Sequence, residues 1–145
     1  IWAAAVTWKR SRRARRSAYV VKRSAADAYA ARTMRMTGVL LFFLIVFHIL
    51  HFTTGTIRTG FVADSTPYER MVATFQNPLM VVVYLIFVGL AALHVSHGFW
   101  SAFQSLGWVR GGTRKFMEVL SGLVGALIFL MFALPPLAIV AGYIS

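Results

Sequence analysis

The chain alternates between long apolar runs and short polar segments. Charged residues are absent between Arg35 and Arg58, between Arg70 and Arg110, and after Glu118. Each of these runs exceeds the roughly 20 apolar residues that a helix needs to cross a bilayer. The pattern therefore predicts three spanning helices, over residues 33–54, 78–106 and 116–143.

The first eight residues, IWAAAVTW, form a further apolar segment that stops at a basic run. We expect residues 1–8 to be the end of another spanning helix that begins before Ile1, with a short interfacial helix as the alternative. Residues 9–32 then form a basic loop. The predicted fold is an all-α transmembrane helical bundle, a single membrane domain over residues 1–145 with three complete spans and the end of a fourth.

Local signals mark the ends and contacts of these helices. Asn77-Pro78 is typical of the N-cap and first residue of a helix, here the second span. Pro135-Pro136 should kink the third span or mark fraying near its outer end. Gly122 and Ala126 form a pair of small residues four positions apart, which predicts close contact with another helix.

The composition is typical of a membrane protein, and the distribution of basic residues predicts its orientation in the membrane. Hydrophobic residues make up 59% of the 145, and mean hydropathy is +0.70. The 15 Lys and Arg residues, against 4 Asp and Glu, bracket the apolar runs, so we expect them to face lipid headgroups and not nucleic acid. Because positive loops stay in the cytoplasm, residues 9–32 and 107–115 should be cytoplasmic and residues 55–77 outside.

The candidate chemistry lies in the histidines. The chain has no cysteine, which excludes c-type haem attachment and cysteine-ligated iron–sulfur clusters within this sequence. All four histidines fall inside predicted spans as two pairs three residues apart, His48 with His51 and His94 with His97. Ionisable residues inside a bilayer usually face the bundle interior or a cavity.

Four uses of such histidines are open: haem ligation, metal transport, proton relay and simple hydrogen bonding between helices. Transported zinc or manganese and proton relays usually recruit carboxylates, and neither histidine pair has Asp or Glu near it within its helix core. A haem held by two neutral imidazoles needs none. The pairs therefore favour haem, with a haem-free anchor and a histidine-using metal or proton transporter as alternatives.

Two motifs sharpen this interpretation. The stretch RMTGVLLFFLIVFH (35–48) places Arg-x-Thr-Gly nine apolar residues before a histidine, and HVSHGFWSAFQSLGW (94–108) contains His-x-x-x-Gly-x-Trp-Ser followed by Gly-Trp. Together they resemble the dihaem cytochrome b membrane subunit of bacterial succinate:quinone oxidoreductases, a single-chain, five-helix anchor. The resemblance covers nearly the whole chain, and the second motif is the more specific.

The resemblance implies two haem b groups. His48 would ligate the haem farther from the cytoplasm and His94 the haem nearer to it, each paired with a histidine on a helix that precedes this sequence. Supporting roles toward haem, quinone or a neighbouring helix would fall to His51, His97, Arg35, Thr37 and Trp100. Ser101 and Arg35 are the weaker candidates for a quinone site, and the quinone would be menaquinone.

The resemblance also implies a place in the respiratory chain and the tricarboxylic acid cycle. The chain would be the non-catalytic membrane subunit of a succinate dehydrogenase (quinone) or fumarate reductase in the bacterial inner membrane. It would pass electrons between an iron–sulfur subunit and quinone, anchor the flavoprotein subunit, and belong to complexes that can form higher oligomers. Some fumarate reductases carry a glutamate where this chain has Ala92 and Leu93, so compensating proton transfer by that route is not expected. The haem b subunit of a hydrogenase or formate dehydrogenase is the alternative.

Overall fold

A computed structural model describes residues 2, 5–6, 9–10 and 25–144 of the chain. Within those residues the elements are helical and no strand is present. Most of the predicted helix end at residues 1–8, and residues 11–24 of the predicted basic loop, lie outside the described part. The helices are α1 (Ala25–His48), a π-turn (Ile49–Thr53), α2 (Pro67–Phe75), α3 (Pro78–Ser105) and α4 (Arg114–Val140).

The three predicted spans are confirmed. Helices long and apolar enough to cross a membrane cover Thr33–Thr53, Pro78–Ser105 and Arg114–Val140. Large apolar side chains are exposed on all three, among them Val39, Phe43, Leu93, Leu123 and Leu130. A lipid-facing surface of this kind is what a multi-pass membrane protein requires.

Two boundaries differ from the sequence prediction. Helix α1 begins at Ala25, within the segment predicted as loop, because residues 25–32 are rich in alanine, the strongest helix former. The predicted loop 55–77 contains the short helix α2. There the Thr66 side chain accepts from the Glu69 backbone N–H, and the Glu69 side chain accepts in return from the Thr66 backbone, with Pro67 as the first helical residue.

The main helix–helix contact is between α3 and α4, while α1 contacts α3 less extensively. The prediction that Gly122 and Ala126 make the close contact is wrong, because Gly122 faces open space. Gly125 makes it instead: a Cβ added there would lie 2.9 Å from the Ser96 Cβ and 3.0 Å from the Ala92 carbonyl oxygen. The face of α4 that packs against α3 therefore contains Gly125 and not Gly122.

The best-packed part of the molecule lies at one end of the bundle. We call the end that carries the π-turn and residues 54–77 the distal end, and the opposite end, with the turn at residues 106–113, the proximal end. Buried hydrophobic residues from α2, α3 and α4 cluster at the distal end, and Phe47 and Phe52 pack against them. Helix α4 continues through Pro135-Pro136 to Val140, so the proline pair stays within the helix.

Candidate haem sites

The proximal site is built around His94, which points from α3 toward α1. Its Nδ1 lies 3.1 Å from the Thr37 hydroxyl oxygen. That hydroxyl also lies 2.9 Å from the Thr33 carbonyl oxygen and 3.1 Å from that of Met34. A hydroxyl has one proton to donate, and three acceptors are within reach of it here: the two carbonyl oxygens and His94 Nδ1.

One tautomer of His94 suits a metal ligand. When the Thr37 hydroxyl donates to the backbone, its oxygen accepts from a His94 Nδ1–H. The lone pair of the neutral imidazole is then on Nε2, the nitrogen that remains available for a metal. Iron-ligating histidines normally donate their other ring N–H in this way, so the donor chemistry of His94 fits an axial haem ligand.

Gly38 lies beside the same imidazole. A Cβ at this position would come 3.2 Å from the His94 Cε1 and 4.0 Å from both ring nitrogens. The missing side chain therefore lets α1 approach the histidine ring closely. Thr37 and Gly38 are thus the residues of α1 that contact the His94 imidazole.

The distal site is built around His48, the last residue of α1. It makes no hydrogen bond with any residue that the structure describes; its imidazole contacts aromatic rings instead, with centroids 5.4 Å from Phe52, 6.0 Å from Tyr84 and 5.9 Å from Phe87. It faces a cavity of about 480 Å³. The lining is apolar apart from His48 and Tyr84, the other residues being Phe52, Pro67, Met71, Phe75, Phe87, Val88, Ala91, Ile128, Phe132, Pro135 and Pro136.

The cavity suits a flat apolar group with a nitrogen ligand at its wall. Apolar side chains would contact such a macrocycle, and the free imidazole would supply the axial bond. Helix α2 contributes Pro67, Met71 and Phe75 to the wall, so the short helix missed by sequence reasoning closes part of this site.

His51 has a different environment from His48. It is 0% exposed, its Nδ1 lies 2.9 Å from the Tyr84 hydroxyl, and its Nε2 lies 2.5 Å from the Thr59 hydroxyl. Both ring nitrogens are occupied, so His51 as folded has no lone pair free for iron. The bonds connect the π-turn to α3 on one side and, on the other, to residues 54–77, which we call the distal loop.

The remaining site candidates are spread over the proximal half. His97, Ser101 and Arg35 are exposed and Trp100 is half-buried. No hydrogen bond within the described part of the chain joins any of the four to His94. The structure thus brings Thr37 to the proximal histidine and leaves the others apart from it.

Two residues that hold His51 in place, Tyr84 and Thr59, were not predicted from the sequence. Tyr84 is a single hydroxyl-bearing ring inside the run VVVYLIF, and Thr59 lies in the distal loop. A lone tyrosine in a spanning segment is a weak signal for a polar contact, but its partner could not be identified without the packing of α3 against the π-turn.

Hydrogen bonds from Arg70 link the distal loop to the π-turn. Its guanidinium donates to the carbonyl oxygens of Phe52 at 3.0 Å, Ala63 at 3.2 Å and Ser65 at 3.0 Å. The Phe52 carbonyl belongs to the end of a helix, where such groups lack partners within the helix. Arg70 therefore satisfies the backbone beside the distal site.

A metal site of the transporter type does not form in the part of the chain that is described. Nowhere in residues 25–144 do three or more His, Asp or Glu side chains gather where they could hold a metal ion.

Comparison with known proteins identifies the family of the chain. The family model of the succinate dehydrogenase/fumarate reductase transmembrane subunit matches residues 9–135. No curated protein matches the chain, and no solved structure matches it. Since the matched region includes the first two spans, most of the third and both histidine pairs, the chain belongs to the succinate dehydrogenase/fumarate reductase transmembrane subunit family.

Proposed function

We propose that this membrane subunit is a cytochrome b in which His94 and His48 each supply one axial ligand to a separate b-type haem. The observation that carries the proposal is the bond between His94 Nδ1 and the Thr37 hydroxyl, which leaves Nε2 as the ligating atom. Family membership supports the same role. Each haem then needs a second axial ligand besides His94 or His48.

The haems, when bound, supply one-electron centres between an iron–sulfur subunit and membrane quinone. The chain's own residues orient and insulate them. Thr37 holds the imidazole of His94 in one tautomer and makes Nε2 more basic. At the distal site the apolar wall around His48 keeps water from the metal, which is one of the ways in which a protein sets a haem potential.

Depth supports two separate positions in the membrane. His48 lies about 20 Å along α1 from Arg35 at 1.5 Å per residue, whereas His94 is near the middle of α3. The two haems would thus be staggered across the bilayer. With the basic segments in the cytoplasm, the proximal end faces the flavoprotein and iron–sulfur subunits in the bacterial inner membrane.

Quinone binding is assigned to the proximal boundary, where Arg35 and Ser101 are exposed. A guanidinium and a hydroxyl are both donors, and the two carbonyl oxygens of a quinone are acceptors. We take menaquinone as the substrate, and the direction of turnover follows from the enzyme complex that the subunit joins.

The test is haem content and the optical spectrum of the complex purified from its native membrane. A reduced α-band of b type with two haems per subunit is expected; His94→Ala and His48→Ala should each remove one haem. His97→Ala is the matched control, because it removes an imidazole one turn from His94 that is exposed, and should leave both haems in place. Retention of both haems in either ligand variant would exclude that residue as a ligand.

A further inference from the structure

We propose that His51 is a positioning residue for the distal haem ligand, holding Tyr84 against the imidazole of His48. The inference rests on the proposed function, since it assumes that His48 ligates haem. It concerns three residues of which none is itself a ligand: His51, Tyr84 and Thr59.

The first step is the burial of His51. An imidazole that is fully enclosed needs partners for both nitrogens, and His51 has them in Tyr84 on α3 and Thr59 in the distal loop. Its ring also stacks on Phe47 with centroids 5.4 Å apart and planes at 10°. His51 is therefore fixed in position and in plane.

The second step is the π-turn that begins directly after His48. The Thr54 backbone N–H donates to the Ile49 carbonyl oxygen at 2.9 Å, a bond over five residues instead of the four of an α-helix. This wider turn directs His51 into the core while His48 faces the cavity. Such turns occur frequently at functional sites.

The third step is the contact between Tyr84 and His48. The Tyr84 side chain is 5% exposed, and its ring lies 6.0 Å from the imidazole of His48 at an interplanar angle of 67°. Its hydroxyl is held by His51 at 2.9 Å. Because His48 itself has no hydrogen-bond partner in the described residues, ring contacts are what orient its plane.

The consequence is an indirect control of the haem. The orientation of an axial imidazole and the groups packed around it tune a haem iron. If His51 releases Tyr84, the His48 ring gains rotational freedom. The distal haem then changes its electronic structure, while the proximal haem, held through Thr37, does not.

The experiment compares four variants in the intact complex by electron paramagnetic resonance of the oxidised low-spin haems and by potentiometric titration of each haem. His51→Ala should shift the distal signal and its midpoint potential and weaken distal haem retention by about tenfold, the lower end for groups that orient metal ligands. Tyr84→Phe keeps the ring and removes only the hydroxyl, and should shift the same signal by less. His51→Gln, which keeps a donor and an acceptor, should restore part of the wild-type signal.

The fourth variant, His97→Ala, should leave both signals as they are. An unchanged distal signal in both His51→Ala and Tyr84→Phe would overturn the proposal, as would equal shifts of the two haems. Loss of the distal haem in His51→Ala with no change in Tyr84→Phe would also overturn it, since His51 would then be a ligand. Absence of haem from the wild-type complex would instead overturn the proposed function.

Discussion

The two histidine pairs have the same spacing but opposite arrangements. In the distal pair, the first histidine faces a cavity and the second, His51, is fully buried with both nitrogens bonded. In the proximal pair, the first, His94, is bonded to Thr37 and the second, His97, is exposed. The π-turn is the physical difference, because it interrupts α1 after His48 whereas α3 is regular around His94.

The comparison shows that spacing alone does not assign roles to histidines in a span. At the proximal site the proposed ligand, His94, has a hydrogen bond of its own, to Thr37. At the distal site the proposed ligand, His48, has only ring contacts among the described residues, and His51 bonds to Tyr84, whose ring touches it. A change at one site should therefore leave the other intact, and the following substitutions test that independence.

The largest effect is expected for Arg70→Met, which should loosen the distal end alone. It removes three charge-assisted bonds to backbone carbonyls, each worth about 1.5–3 kcal/mol before non-additivity. We expect a loss of about 3 kcal/mol in the stability of the distal loop, measured by hydrogen exchange, and weaker distal haem retention. Arg58→Met is the control, since Arg58 donates only to the nearby Gly55 carbonyl oxygen. A matching change at the proximal haem would show that the two sites are coupled.

Thr37→Val should weaken the proximal site alone. The substitution keeps the shape of the side chain and removes the acceptor for His94 Nδ1–H. We expect a 10–100-fold loss in proximal haem affinity, measured by haem retention during titration with a competing haem-binding protein. Thr37→Ser keeps the hydroxyl and should behave as wild type. Equal losses in the Val and Ser variants would point to packing and not to the bond.

Gly38→Ala should perturb the proximal site less than Thr37→Val does. The added methyl would lie 3.2 Å from the His94 Cε1, so the ring must move by a few tenths of an ångström. We expect a small shift of the proximal haem signal with haem retained. Gly89→Ala is the matched control, because its added methyl would lie 3.8 Å from Phe129, an ordinary contact. If Gly89→Ala causes the same shift, the close approach at Gly38 is not its origin.

The smallest expected effect is the loss of stability of the α2 cap at acid pH. The backbone N–H of Thr66, and then its hydroxyl, donate to the Glu69 carboxylate and hold the pKa of Glu69 below its ordinary value. A lowered folded pKa stabilises the α2 cap above about pH 4.3, the ordinary value for glutamate, and this contribution is lost as the pH falls through the folded pKa. Hydrogen exchange of α2 relative to its intrinsic rate at each pH should therefore rise in acid in the wild type.

The same rise should be absent from Glu69→Gln, whose cap is no longer ionised at any pH. Asp64→Asn alters the charge of the loop equally and should keep the wild-type pH response. An identical response in Glu69→Gln and wild type would assign the acid sensitivity to another group.

Much of the fold could be predicted from the sequence, because runs without charge are long enough to define spans by themselves. The absence of charge correctly indicates the span from Thr33, but it does not indicate that the helix itself begins at Ala25, within the basic segment. Helix α2 was missed although its capping residues, Thr66 and Glu69, are visible in the sequence. Short helices between spans do not produce a hydropathy signal.

The sites were predictable only in part. The four histidines and Thr37 stand out in the sequence as polar residues within the predicted spans. Nothing in the sequence predicts the π-turn, which gives His48 and His51 different environments. The pairing of His51 with Tyr84 and Thr59 joins residues 33 and 8 positions away, which only the three-dimensional packing brings together. The close contact was predicted at Gly122 and lies at Gly125 for the same reason, because the sequence does not show which face of α4 packs against α3.

The contact at Gly125 has a consequence for how the helices associate in the membrane. With no side chain there, the α4 backbone meets the Ser96 and Ala92 turn of α3 almost directly, and only residues 106–113 lie between the two helices. Small residues at such a contact allow spans to associate inside lipid without a hydrophobic driving force. Helices α3 and α4 can therefore pair as a hairpin by backbone packing, whereas α1, with its smaller contact, depends on side chains such as Thr37 at His94.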